Sequence, residues 1–221
     1  MNKTINEDPY DKAYFEGRNS NYWWTIGNYE NLKNFPHWQE IVRLLQNYKN
    51  NGTLLDIGCA YGLLVNATSK HFESYGIDIS QFAIKKSKRY CNGNISKASA
   101  TNVPFKNEAF DIITVIDTLE HIHHLKQCLK EIIRVLKKHG ILLLQLPNPS
   151  IWHLCKHVGL ADETHTNDFR LNEWKNMLAK NGLRVEKCFG LISYAFKTIP
   201  FFLKSERAAP LFPELLIVAK K

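Results

Sequence analysis

From Thr53 onward the chain alternates short apolar runs with stretches of helical period, and no other feature of its 221 residues restricts the fold as much. An apolar run of about four to eight residues bounded by turn signals is a strand buried on both faces. Strands of that kind, alternating with helices, build a parallel sheet covered by helices. Thr53 to Ile57, Ser74 to Asp78, Asn94 to Ala98, Phe110 to Ile116 and Ile141 to Leu146 read as the first five strands. Leu183 to Phe189 and Leu215 to Ala219 read as the sixth and seventh. Between Pro36 and Gly52, Trp38, Ile41, Val42, Leu45 and Tyr48 recur at helical spacing. Ser80 is placed to cap a helix running through Tyr90. Leu125, Cys128, Leu129, Ile132, Ile133 and Leu136 stripe a helix that Gly140 ends, and Gly182 stops another that runs from Leu171 to Asn181.

Two segments stand outside this rhythm. Residues 1–35 are rich in Asn, Tyr and Trp with little periodicity, and residues 190–213 are apolar and broken by proline. A chain of this length buries most of the surface that it exposes when unfolded, so it needs no disulfide or metal to fold. Its five cysteines are odd in number and contain no C-x-x-C, which reads as reduced thiols of a cytoplasmic protein. The polar start, MNKTINEDPYDK, carries no signal-peptide pattern. No apolar run reaches the roughly 18 residues of a membrane span. The net charge of +8 arises wholly from residue 53 onward, since residues 1–52 hold six basic and six acidic side chains. Most of the excess reads as solvated helix faces, and a basic surface for nucleic acid or anionic lipid is the alternative.

The chemistry concentrates at Asp56-Ile57-Gly58-Cys59-Ala60-Tyr61-Gly62, where the first strand turns into a helix. Glycines at such a turn permit positive φ and let a ligand approach the backbone. A dinucleotide fingerprint needs G-x-G-x-x-G, but Ala60 and Leu63 hold the second and third glycine places. What stands here is an acid two residues before G-x-x-x-G. A second acid, Asp78, ends the second strand twenty residues after Gly58, where a carboxylate can accept both hydroxyls of an adenosine ribose.

This arrangement resembles the first motif of class I S-adenosylmethionine-dependent methyltransferases, D-x-G-x-G-x-G, with Ala60 in place of the middle glycine. Further stretches are similar to the family: Ala98 to Phe105, the segment flanking the adenine, although Ser99 stands where the family usually has an acid; Asp117-Thr118-Leu119-Glu120-His121-Ile122 after the fourth strand; and Arg134-Val135-Leu136-Lys137 leading into the fifth. The likeness covers about residues 38–189 and the last strand. It implies an α/β fold with a Rossmann-like, doubly wound, seven-stranded sheet whose last strand is antiparallel. It further implies S-adenosyl-L-methionine as cofactor, with Asp56, Gly58, Cys59, Gly62, Asp78, Ile79, Ser99, Ala100, Asp117 and Thr118 around it. Asp56 has a second reading, as a turn acid without ligand contact.

On the acceptor side, Glu120, His121, His123, His124, Asn148 and His165 follow the fourth and fifth strands, whose ends form the ligand crevice of an open α/β sheet. His121 is the first choice to take a proton from a hydroxyl acceptor, because free imidazole titrates near neutral pH. The alternative is that the Leu-Glu-His run orients its loop. Asp117-x-x-Glu120-His121 also resembles the acidic metal motif of some quinone-ring O-methyltransferases. No metal is expected, since the cofactor already claims Asp117. Residues 1–35 resemble the family's variable lid, leaving 36–221 as the cofactor-binding domain, with 190–213 as its acceptor-side insertion. Aromatic, proline-broken segments suit an apolar or ring-bearing small-molecule acceptor. Methylation of a nucleic-acid amine is not expected: the place after the fourth strand holds Asp117-Thr118-Leu119-Glu120 rather than an N-P-P-Y run. A non-catalytic cofactor-binding module stays open as an alternative, and the sequence carries no sign of an oligomeric state.

Overall fold

The computed structural model describes residues 10–16, 28–151, 165–196 and 199–221. Its strands are β1 (Thr53–Ile57), β2 (Glu73–Asp78), β3 (Asn94–Lys97), β4 (Phe110–Ile116), β5 (Leu136–Pro147), β6 (Arg184–Phe196), β7 (Ile199–Ser205) and β8 (Glu214–Lys220). They form one sheet of order β3-β2-β1-β4-β5-β8-β6-β7. β1 to β5 are mutually parallel, and β8 inserts antiparallel between β5 and β6. The helices are α1 (Lys12–Glu16), α2 (Pro36–Gln46), α3 (Leu63–Thr68), α4 (Gln81–Ser87), α5 (Leu125–Val135) and α6 (Leu171–Lys180). None among the described residues is long and apolar enough to cross a membrane.

The α/β class and the antiparallel last strand agree with the sequence reading, but the sheet has eight strands rather than seven. β6 runs past Phe189, turns, and pairs antiparallel with β7 from Gly190↔Ser205 to Phe196↔Ile199. Residues 190–205 are therefore largely a hairpin. Pro200 hid it from view, because proline reads as a strand breaker. β7 is an edge strand, where a missing N–H donor is tolerated.

A second difference lies before β5. The helix that was to end at Gly140 ends at Val135, and Leu136 is already strand, paired with Phe110. Lys221 accounts for this. Its Nζ donates to the carbonyls of Ile133 and Leu136 at 2.8 and 2.7 Å, satisfying acceptors that a helix end leaves bare. Asp111 holds Lys137 Nζ at 2.8 Å and draws the chain along β4. The reversal is completed at His139, whose φ is 61°.

The parallel half places the site. From β1 the chain moves outward to β2 and β3, then crosses back to β4 on the other side of β1. Where strand order reverses in this way, the loops after the two central strands part and leave a crevice at their carboxyl ends. β1 and β4 pair in register, Leu54↔Ile112 and Asp56↔Thr114, so the Gly58 turn and the Asp117 turn leave the sheet side by side. Two apolar cores flank the sheet. One packs α5, with Cys128, Leu129 and Ile132, and α6, with Trp174 and Leu178, on one face. The other packs α2, with Trp38, Ile41 and Leu45, beside Tyr61 and Leu64. Phe15 and Tyr29, from the aperiodic first 35 residues, are buried in this second core. Burying an aromatic ring there contributes about 2–3 kcal/mol of transfer free energy, a source of order that periodicity does not reveal. Cys59, Cys91, Cys128 and Cys188 are free and buried, and Cys155 lies outside the described residues.

Candidate functional site

The turn after β1 is built around the second strand's final acid. Gly58 and Cys59 donate their N–H groups to the Ile77 carbonyl at 2.8 and 3.0 Å. Asp78 then accepts the Ala60 N–H with one carboxylate oxygen and the Ser80 N–H with the other, each at 2.8 Å. Gly58 has a φ of 79°, and a Cβ added there would stand 2.2 Å from Thr118 Oγ1. That position therefore admits only glycine while the β4 loop keeps its place. Ala60 and Asp117 are both at φ 45° without being glycine, so the two loops facing the crevice hold strained backbone. Strain of that kind collects at ligand sites.

One crevice is lined by Asp56, Gly58, Cys59, Asp78, Ile79, Asp117, Thr118 and His121. Of eleven expected residues (ten around the cofactor, and His121 as the base), eight thus meet at one place. The other three do not line it. Gly62 (φ 72°) starts α3 and packs toward Ile95 and Cys91, where an added Cβ would come within 2.3 Å of Ile95. Ser99 bonds Thr101 through its hydroxyl at 2.8 Å, and Ala100 is buried against the α5 side. Their stretch still lies beside Asp78, whose carbonyl accepts the Ala98 N–H at 3.0 Å. Asn148 is buried and structural: its amide donates to the Pro210 and Phe212 carbonyls at 3.0 and 2.8 Å and pins the chain before β8.

Other lining residues were expected only as part of the aromatic segment 1–35, or were not singled out. Tyr10, Tyr14, Phe15 and Tyr29 line the crevice, together with Leu32, Trp38, Ala60, Leu64, Ile116 and Ile122. Trp38 had passed as one more member of an apolar helix stripe. Tyr14-Phe15 did carry a signal, as an aromatic pair in a segment likened to a lid. Tyr22, Trp23 and Trp24 lie outside the described residues.

Electrostatically the crevice is acidic in an apolar frame. Burial pushes the Asp56 carboxyl up to about 7; a 2.7 Å bond from Thr114 Oγ1 opposes this, and the Asp78 charge adds to it. Asp117 lines the crevice as an exposed residue. The surrounding protein raises its carboxyl above the usual range, against a 3.1 Å bond from the Gln145 amide. The Tyr29 phenol is held well above its usual range, by burial first and then by Asp56 and Asp78. Three carboxylates and glycine-loop backbone fit a ligand carrying a cation and a diol. They would repel a phosphate, which separates this turn from a dinucleotide loop.

Known proteins agree with this geometry. The family profile described as "Methyltransferase domain" matches residues 30–187. The uncharacterized methyltransferase YcgJ of Bacillus subtilis is 28% identical over 59% of this chain and 56% of its own length. The demethylmenaquinone methyltransferase of Bacillus licheniformis is 26% identical over 55% of this chain and 56% of its own. The chain thus spans little more than half the length of these curated relatives. Among solved structures, a methyltransferase of Thermotoga maritima described as a possible histamine N-methyltransferase superposes with a TM-score of 0.65 at 18% identity, covering 83% of this chain and 89% of that one. At that identity the likeness speaks for the fold. The profile match, which spans the Gly58 turn and the Asp117 turn, carries the assignment: the chain belongs to the class I S-adenosylmethionine-dependent methyltransferases.

Proposed function

We propose that the chain transfers a methyl group to an apolar, ring-bearing small molecule, at oxygen. The observation that carries this reading is the crevice itself: three carboxylates, the tyrosines and Phe15 of the first segment, and His121 all line it. S-adenosylmethionine, when bound, supplies a methyl group made electrophilic by its sulfonium. The chain's own residues bind, orient and exclude water. Asp56 and Asp117 face the amino group of the methionyl tail, Asp78 accepts the ribose hydroxyls, and the Gly58–Cys59 backbone lets the tail lie close. His121 faces the acceptor's hydroxyl. Its ring lies 6.0 Å from Tyr10 and 6.4 Å from Tyr14, both edge-on, so the aromatic segment and the acceptor side meet there. Residues 1–35 act as the lid that completes this wall, and holding the acceptor in line beneath it is the main source of rate. A relative whose name specifies demethylmenaquinone supports a ring-bearing acceptor, although the match covers only part of that protein.

The test is calorimetry with S-adenosylhomocysteine, followed by a radiolabelled methyl-transfer screen over hydroxylated aromatic and quinol compounds. Binding in the micromolar range, with NADH and ATP inert, is the expected result. His121→Ala should lower turnover and leave S-adenosylhomocysteine affinity unchanged. A chain that binds NADH and ignores S-adenosylhomocysteine would sink the proposal. Methylation confined to nucleic-acid or protein substrates would overturn its acceptor half.

A further inference from the structure

The side of the crevice beyond Asp117 carries a donor set that methyl transfer by positioning alone does not use. Glu120, His121 and His165 each bring one ligating atom into a group whose members all lie within 4.8 Å of one another. Glu120 is 1% exposed, and both histidines are half-buried. The two imidazole rings cross at 70° with centroids 4.9 Å apart.

We propose that these three side chains form a site for a divalent first-row transition ion of the zinc type. Two imidazoles and one carboxylate suit zinc or iron(II) rather than magnesium or calcium, which want oxygen donors. With bonds of about 2.0–2.2 Å, ligand atoms around a tetrahedral zinc stand roughly 3.4 Å apart. The observed spread of up to 4.8 Å must contract by up to about 1.4 Å to reach that, a shift that side-chain rotation supplies. Asp117, nearest in sequence to Glu120 among the acids, is not part of the set, since its carboxylate is bonded to Gln145. His165 comes instead from a segment 45 residues away.

The chain holds that distant segment firmly. Thr166 and Asn167 donate their N–H groups to the Glu120 carbonyl at 2.7 and 3.1 Å. The Asn167 amide spans the Leu119 and Ile122 carbonyls at 2.8 and 2.7 Å. The three donors are thereby assembled by backbone contacts before any ion arrives. Asp168 stands 3.9 Å from His165 Nδ1, a charge contact beyond hydrogen-bond reach. Three protein ligands leave at least one position open. His121 lines the crevice, so that position faces the acceptor and takes an oxygen ligand such as a phenolate or an enolate. This deepens the methyltransferase reading and rests on it. Here His121 reaches the acceptor through the ion rather than by direct contact.

The experiment uses tag-free, chelator-treated protein titrated with Zn2+ by calorimetry, and with Co2+ by visible absorption. One equivalent should bind, and Co2+ should show the d–d bands of a four- or five-coordinate site. His165→Ala and Glu120→Gln should each weaken Zn2+ binding at least about 100-fold, the upper end of what losing even an outer partner costs. S-adenosylhomocysteine affinity should stay within about twofold in both variants, which reports that they are folded and separates this proposal from the cofactor reading. His123→Ala and His124→Ala, at exposed positions, are the controls and should bind as the parent does. If Zn2+ and Co2+ fail to bind at micromolar concentration, or the His165 variant binds like the parent, the site does not exist. Metal binding without S-adenosylhomocysteine binding would instead leave the site standing and remove the methyltransferase reading.

Discussion

Asp78 accepts the backbone N–H of Ala60 at 2.8 Å, so the acid proposed to hold a ribose is also the clamp that shapes the glycine turn. Its other oxygen takes the Ser80 N–H at 2.8 Å, at the start of α4. A carboxylate accepts about four hydrogen bonds, and two backbone donors do not saturate it. Structure and ligand binding therefore share one side chain. Asp78→Ala should leave two buried N–H groups unsatisfied and lower unfolding free energy by about 1–3 kcal/mol. Affinity for S-adenosylhomocysteine should fall by a further 10- to 150-fold, or about 1.5–3 kcal/mol. Urea unfolding beside calorimetry measures both. A variant that loses stability but keeps full affinity would show that Asp78 is a turn clamp alone.

Gly58→Ala tests the contact between the two loops. The added methyl would meet Thr118 Oγ1, Cγ2 and Cβ at 2.2, 2.6 and 2.9 Å, at a φ of 79° that itself disfavours a side chain. The strain alone is worth about 1–2 kcal/mol, and the clash adds to it. S-adenosylhomocysteine binding should fall at least about tenfold, the equivalent of that strain. Adding Thr118→Gly should recover part of the loss by removing the clash and leaving the φ strain. Full recovery in the double variant, or no loss in the single one, would contradict this account.

Asp56 predicts a pH dependence with a definite sign. Its carboxyl titrates near 7 in the folded chain and near 3.8 when unfolded, so between those values the folded state holds a proton that the unfolded state has released. The associated stability is fully present below about pH 4 and is lost as pH rises through about 7. His37 works in the opposite direction: buried and lowered to about 4, it favours the folded state as pH rises from 4 toward 6.5. The clean readout is the difference between parent and Asp56→Asn. That variant should gain stability relative to the parent as pH rises from 5 to 8, while binding S-adenosylhomocysteine more weakly. Parallel stability curves for the two proteins would mean that Asp56 does not titrate in this window.

The loops that line the crevice were readable in the sequence because their positions are set by strand ends. Asp56, Gly58, Asp78 and Asp117 each sit within two residues of an apolar run, and the β1–β4 register brings two of those runs together. What escaped depends on contacts between distant segments. Lys221 ends α5 from the far terminus, and no local signal near Val135 announces it. Gln145 was the one polar residue in an apolar run, a hint that went unread; it proves to hold Asp117. His165 was recognised only as a histidine after the fifth strand, and its approach to Glu120 is a matter of backbone pairing across the fold. Tyr29 and Phe15 lie where periodicity carries no information. Only burial shows that they belong to the core.

The aromatic residues of the first segment offer the last test, and the contacts that dock α1 can be named. The Phe15 ring lies 5.5, 5.3 and 6.1 Å from those of Tyr29, Tyr61 and Phe82. Glu16 pairs with Lys86 at 2.6 Å and accepts the Tyr61 hydroxyl at 3.0 Å. The Tyr10 carbonyl accepts the Ser80 hydroxyl at 2.5 Å, beside Asp78. A buried Phe→Ala change in a rigid core costs about 3–5 kcal/mol of global stability. If α1 instead opens as a local unit, Phe15→Ala weakens only its docking, and the melting temperature of the cofactor-free chain should barely change. Limited proteolysis within the first 35 residues should then accelerate in the variant. S-adenosylhomocysteine should slow that cleavage in the parent, because a ligand in the crevice favours the closed state. Turnover should fall more than cofactor affinity, since Tyr10 and Tyr14 would no longer exclude water from the acceptor side. A melting temperature lowered as far as by Ile41→Ala would make α1 an integral part of the core, and the lid would have to be sought among residues 190–213.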